Sequence, residues 1–154
     1  VLHRQDVVDA VEGRGARLNA STGYETIQYE MAFNREDLAD NLGLHAKTVL
    51  QPLFDPALVE REKKNVINEC SERMASPDAE VYSRTLELLF DRPHFQSLGH
   101  RRDVQATTAD QLRAFHQRFY RPTNMLTVLV GDVTPQDVLP ALEALTATEA
   151  RVWT

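Results

Sequence analysis

Apolar residues recur along most of this chain with a helical period, and in one stretch they alternate. Val7, Val8 and Val11 predict a helix from His3 to Glu12, closed by Gly13 and Gly15. Leu38, Leu42, Ala46, Val49 and Leu53 predict a second helix, with Asn34 as its cap and Asp37 at the third helical position. Asp55-Pro56 reads as an N-cap followed by proline at the first helical position. The helix it opens carries Glu62, Val66 and Glu69 on one face. Ser76-Pro77-Asp78 interrupts that helix and starts another through Val81, Thr85, Leu88 and Leu89. Asp91 to Thr107 reads as irregular. Thr108-Ala109-Asp110-Gln111 fits a capping box before Leu112, Phe115 and Phe119. Thr134-Pro135 starts a last helix through Val138, Leu142 and Leu145.

The alternating stretch is Tyr24 to Phe33, where Ile27, Tyr29, Met31 and Phe33 share a face. Ala16 to Ala20 reads as a short strand, joined to it as a hairpin through Ser21-Thr22-Gly23. Met125 to Val130 is a continuous apolar, β-branched run, the pattern of a central strand. Helices dominate, and the few strands are placed to form one sheet. The class that follows is α+β, with helices packed on one face of the sheet.

Composition narrows the partners. The chain has 154 residues, 42% hydrophobic and 26% charged, which suits one globular domain. A net charge of −6 argues against a nucleic-acid surface, which needs clustered cations. The Arg61–Lys64 cluster is interleaved with Glu60 and Glu62, the pattern of a solvated helix face. No apolar run reaches the roughly 18 residues that span a membrane. There is no initiator methionine or leader, so the compartment is unreadable, and a start at Val1 inside a helical pattern reads as a fragment. The single Cys70 excludes an intrachain disulfide and reads as a buried thiol.

The candidate chemistry is sparse. His3, His45 and His116 fall on separate helices, and His94 and His100 flank an arginine-rich loop, so the five histidines build no metal site of their own. Walker A, G-x-G-x-x-G and G-x-S-x-G signatures are absent. On periodicity alone Glu62 and Glu69 are a solvated helix surface. Their surroundings change that reading. Gly13 to Thr22 with the strand to Phe33, the helix from Val59 to Cys70, and Tyr120-Arg121-Pro122-Thr123-Asn124-Met125 running into Leu126–Val133 stand in a set order and spacing. Together these three blocks resemble the N-terminal domain of the pitrilysin–insulinase family of zinc peptidases, the inverzincins.

That resemblance covers about Asp6 to Leu145 and implies the rest of the expectations. It implies one mixed, largely antiparallel sheet with helices on one face, N-terminally incomplete here. Residues 1–146 would form part of a metallopeptidase N-terminal domain, and 147–154 a tail or linker. The family carries two histidine ligands and a glutamate base in H-x-x-E-H, and a third ligand, a glutamate, farther on. Glu69 matches the third zinc ligand, and Glu62 a supporting residue that orients the ligands. Zinc lowers the pKa of a bound water, and a carboxylate takes its proton. Asn19 and Ala20 match the strand that pairs with an extended peptide substrate; read from the residues alone they are an ordinary edge strand. H-x-x-E-H does not occur in the 154 residues, and counting back from Glu69 places it before Val1. Arg14-Gly15 stands where the family often has Gly-Gly. The expected function is a zinc-dependent endopeptidase acting with a second homologous half-domain or subunit. The alternative is a non-catalytic subunit of the same fold that scaffolds a partner or binds peptide.

Overall fold

The computed structural model describes residues 9, 11–13, 15–90 and 99–150, with the backbone alone for residues 73, 74, 141 and 144–150. His3, Val7, Val8, Arg14, Pro93, His94 and the last four residues of the tail lie outside the described residues. The order is β1 (Arg17–Thr22), β2 (Ile27–Ala32), a 3-10 turn (Arg35–Asp37), α1 (Leu38–Leu50), α2 (Pro56–Met74), α3 (Pro77–Phe90), α4 (Arg101–Ala106), α5 (Ala109–Phe119), a 3-10 turn (Pro122–Asn124) and α6 (Pro135–Ala150). The architecture is α+β, as the residue pattern predicts. It divides into two compact units. One holds the residues up to Ala20, Tyr29–Leu53 and those from Gln117 on; the other holds Ser21–Gln28 and Phe54–His116.

The first unit begins with a helix ending. Asp9, Val11 and Glu12 are helical, and Gly15 then adopts φ +71°, open to glycine at little cost. The Ala16 N–H bonds to the Val11 carbonyl at 3.0 Å and the Gly15 N–H to Glu12 at 2.9 Å. This is a Schellman ending, and its usual apolar contact is present: Val11 and Ala16 are both buried and form one cluster. Met31, Phe33 and Leu44 pack against that cluster. The expected stripe of β2 therefore reaches a core at its Met31–Phe33 end, while Ile27 and Tyr29 are exposed. The Gly23 N–H bonds to the Thr26 carbonyl at 2.8 Å, so the hairpin turns on Tyr24-Glu25. The strand predicted from Tyr24 starts three residues later, because Tyr24 and Glu25 form the turn.

α1 buries Asn41, Leu42 and Val49 and packs against α6, where Val138 is buried. Asn34 precedes the 3-10 turn as predicted but makes no side-chain cap bond. The start of α6 is held as its sequence suggests: Thr134 donates from its N–H (2.8 Å) and its hydroxyl (2.9 Å) to Asp137 Oδ2. That helix runs on to Ala150. Arg35 binds Asp132 at 2.6 Å and lies 3.6 Å from Asp137. Both the bond to Asp132 and the nearby charges raise the arginine's affinity for its proton.

One sequence expectation fails in this unit. Residues 125–130 form no strand, and the only sheet among the described residues is the β1–β2 pair. Leu126, Val128 and Val130 are 88%, 71% and 94% exposed. The run has the right residues for a strand, but the described residues place no second strand beside it, and a strand exists only with a partner.

In the second unit α2 packs against α3 and α4. Cys70 is buried on α2, as expected of a thiol on an amphipathic helix. The α5 capping box is complete: the Thr108 N–H bonds Gln111 Oε1 at 2.8 Å, and the Gln111 N–H bonds Thr108 Oγ1 at 3.2 Å. Its Phe115 is exposed, and the buried residue is His116, stacked edge-on against Phe54 with centroids 5.5 Å apart. α4 falls inside the segment predicted to be irregular, since its six residues are too few to show a period. α3 does not bury its predicted apolar face. Val81, Tyr82, Leu88 and Leu89 are exposed, while Glu80, Ser83, Arg84 and Glu87 line a cavity of about 360 Å³ with Cys70, Ser71 and residues 99–101.

Candidate functional site

Helix α2 presents the two glutamates singled out by the sequence. Asp55 begins it: its Oδ1 accepts from the N–H of Ala57 at 2.8 Å and of Leu58 at 3.1 Å. Pro56 has no N–H to satisfy, and the Val59 N–H bonds to the Asp55 carbonyl at 2.9 Å. One aspartate thus meets the needs of the whole first turn. Nineteen residues of helix follow, with no glycine or interior proline.

Glu62 is half-buried. It accepts a bond from Asn65 Nδ2 at 2.9 Å and lies 3.8 Å from Arg61 Nε. Val66, between the two glutamates, is also half-buried. Glu69 is exposed, and none of the ion pairs found among the described residues involves it. Glu62 is therefore held by neighbours, and Glu69 is open to accept an incoming group. Seven residues put their Cα atoms about 10 Å apart along the axis.

Asn19 and Ala20 belong to the other unit, on β1. All six residues of that strand are exposed. One of its edges pairs with β2, and among the described residues the other edge pairs with no strand. A free edge offers alternating N–H and C=O groups to an extended chain, whatever that chain's side chains are. The closing bond at Gly23–Thr26 sets a register in which Ala20 stands opposite Tyr29 and Asn19 opposite Glu30.

Tyr29 anchors that register. Its hydroxyl lies 2.8 Å from that of Tyr120, with the rings edge to face at 6.2 Å. Burial first, and then Tyr120, push the Tyr29 phenol well above its ordinary range. Burial lowers the pKa of the His45 imidazole on α1, outweighing the opposing influence of the Tyr29 main chain. Sequence reading missed this cluster, because nothing in the local pattern links Tyr29 to Tyr120 across 91 residues.

The structure thus brings Glu62 and Glu69 together on one helix, and Asn19 and Ala20 together on one strand. Among the described residues, no three His, Cys, Asp or Glu side chains gather where a metal could bind. Glu69 offers one exposed carboxylate, and the described residues do not complete a metal site around it.

A family model described as "Insulinase (Peptidase family M16)" matches residues 2–98. The chain belongs to the insulinase family. A second model, described as "Peptidase M16 inactive domain", matches residues 106–149. Several relatives are named zinc proteases. One from Helicobacter pylori is 30% identical over 129 residues, covering 80% of this chain and 29% of the relative. An uncharacterized zinc protease of Mycobacterium leprae is 30% identical over 136 residues, covering 87% and 31%. A probable zinc protease of Escherichia coli is 26% identical over 163 residues, covering 96% and 18%. The chain spans less than a third of each relative's length. A solved structure of a Helicobacter pylori protease superposes with TM-score 0.83 at 24% identity, over 93% of this chain and 35% of that one, and so shares the fold. Among the described residues no helix is long and apolar enough to cross a membrane.

Proposed function

We propose that this insulinase-family chain is part of the catalytic N-terminal domain of a zinc metalloendopeptidase acting on peptides or small unfolded proteins. The observation that carries the reading is the contrast on α2 between the held Glu62 and the open Glu69. Glu69 is the third zinc ligand in this reading. Glu62 steadies the helix face beside it, and the free edge of β1 at Asn19 and Ala20 pairs with the substrate backbone. Zinc supplies Lewis acidity to a hydrolytic site of this kind. The two histidine ligands and the general base are assigned to an H-x-x-E-H motif preceding Val1 in the intact parent, and a second homologous half-domain or subunit completes the enzyme.

The test is Glu69→Gln in the intact parent, measuring bound zinc and peptide cleavage. Both should be lost, because an amide is a poor zinc ligand in place of a carboxylate. Glu62→Gln should cost about 10- to 100-fold in metal affinity or activity, as expected of a group acting through a ligand. Full cleavage by the Glu69 variant sinks the assignment. The 154 residues alone should neither retain zinc nor cut peptides.

A second reading is a non-catalytic half-domain that scaffolds an active partner. The match of residues 106–149 to the inactive-domain description favours it. Zinc content of the intact parent separates the two: about one ion per chain supports the enzyme, and none supports the scaffold.

A further inference from the structure

The block Tyr120-Arg121-Pro122-Thr123-Asn124 contributes neither a zinc ligand nor a residue of the edge strand, yet its side chains are closely engaged. It follows the last turn of α5, whose final carbonyls have no partner within the helix. Asn124 Nδ2 donates to the Phe119 carbonyl at 2.9 Å, and Arg121 Nε donates to the Gln117 carbonyl at 3.0 Å. Pro122 disfavours a helical conformation at the residue before it, and Arg121 is extended, at φ −123° and ψ 146°. Pro122 then opens the 3-10 turn, where the Asn124 N–H bonds to the Arg121 carbonyl at 2.8 Å. The chain is thus held on both sides of Tyr120.

Tyr120 passes that support to β2. Its hydroxyl meets the Tyr29 hydroxyl at 2.8 Å, and the two rings lie edge to face. The strand has little other anchorage at this point. The apolar cluster takes up Met31 and Phe33, while Ile27 and Tyr29 are 43% and 38% exposed. Ala20 and Tyr29 are also the last facing pair of the ladder within the first unit. A two-stranded hairpin has little stability of its own, so its position depends on what its side chains hold. Tyr120 grips the ladder at the pair that includes Ala20.

We propose that Tyr120, Arg121 and Asn124 form a bracket that sets the position of the peptide-pairing edge. Arg121 and Asn124 hold Tyr120, and Tyr120 holds Tyr29 opposite Ala20. All three are positioning residues, and none needs to touch the peptide. Their part in peptide binding rests on the proposed peptidase reading; the bracket itself does not.

The test is Tyr120→Phe in the intact parent, which keeps the ring and removes the hydroxyl. Deuterium exchange without peptide reads the bracket. The β1 and β2 amides should exchange about fivefold faster relative to those of α2, the loss of one hydrogen bond. Tyr29→Phe should do the same, and the double variant should be no faster than either single one, because all three remove one bond. Asn124→Ala leaves both phenols in place and should also quicken these amides. Peptide cleavage reads the function: in Tyr120→Phe, KM should rise about fivefold while kcat stays within about twofold. Unchanged exchange in Tyr120→Phe or Asn124→Ala overturns the bracket, as do additive effects in the double variant. Faster exchange with an unchanged KM overturns its part in peptide binding. If the unaltered parent cuts no peptide, the peptidase reading fails, and exchange alone decides the bracket.

Discussion

Replacing Asp55 with alanine tests how helix α2 is started. The Asp55 carboxylate accepts from two first-turn N–H groups, at 2.8 and 3.1 Å, and Pro56 removes a third donor. Alanine leaves both N–H groups without a protein partner. They lie at an exposed position, so water takes them over, and the loss is that of a cap: about 1 kcal/mol. The aspartate also places a negative charge at the positive end of the helix dipole, worth about 0.3–1 kcal/mol more. The expected total is about 1.5–2 kcal/mol, read by urea unfolding with circular dichroism. Asp55→Asn keeps the cap and loses the charge, so it should cost about 0.5 kcal/mol. Glu69 lies 14 residues on, about 21 Å along the helix, so zinc affinity of the intact parent should not change. An alanine variant within about 0.3 kcal/mol of the original refutes the reasoning. So does an asparagine variant as damaged as the alanine one, since the dipole rather than the bonds would then dominate.

Gly15→Ala should cost about 1 kcal/mol from the φ of +71° alone, because a Cβ there would meet nothing closer than Asn34 Nδ2 at 4.0 Å; unchanged thermal stability would show that the turn relaxes. The lowered His45 pKa means that the unfolded chain binds the proton more tightly, so this contribution is full above about pH 6.5 and is lost as pH falls below it toward the folded pKa. Urea midpoints against pH should therefore decline in that window, and His45→Gln should flatten the decline. Asp137, held low by its bonds from Thr134 and by Arg35, acts in a separate and more acidic window, where its contribution is lost as pH falls through its lowered pKa. The exposed run at Leu126, Val128 and Val130 should make the 154-residue chain self-associate, and Val128→Lys should reduce it. A monomer by sedimentation with a cooperative, high-temperature melt would count against that expectation.

What the sequence disclosed is local chemistry. Asp55-Pro56, Thr108 with Gln111, Thr134-Pro135 and Gly15 each mark a helix boundary, and the structure closes all four with bonds spanning at most five residues. Where the outcome depends on distant residues, the pattern is silent or misleading. Residues 125–130 have the side chains of a strand, but pairing is decided elsewhere in the fold. Asn34 sits where a cap belongs, yet its side chain makes no cap bond. Nothing in a helical pattern tells that the apolar residues of α3 stay exposed, that Asn41 is buried, or that Phe54 adopts φ +48° against His116. Arg35 meets Asp132 across 97 residues. The seven-residue spacing placed Glu62 and Glu69 on one face, but it is the contacts that separate a held carboxylate from an open one. The roles proposed for them rest on that contrast taken together with the family match.

Cys70 gives this protein a built-in clock. It is the sole thiol among 154 residues and is buried on α2, where α2 meets α3 and α4. A thiol reagent too bulky to enter the cavity that Cys70 lines can reach it only when that packing parts, so its labelling rate counts openings of one helix layer and ignores fraying elsewhere. When reclosing is fast, that rate divided by the rate for a free thiol is the fraction of time the layer stands open. Followed against denaturant, it reports whether the helix that presents Glu69 loosens before the rest of the chain or together with it.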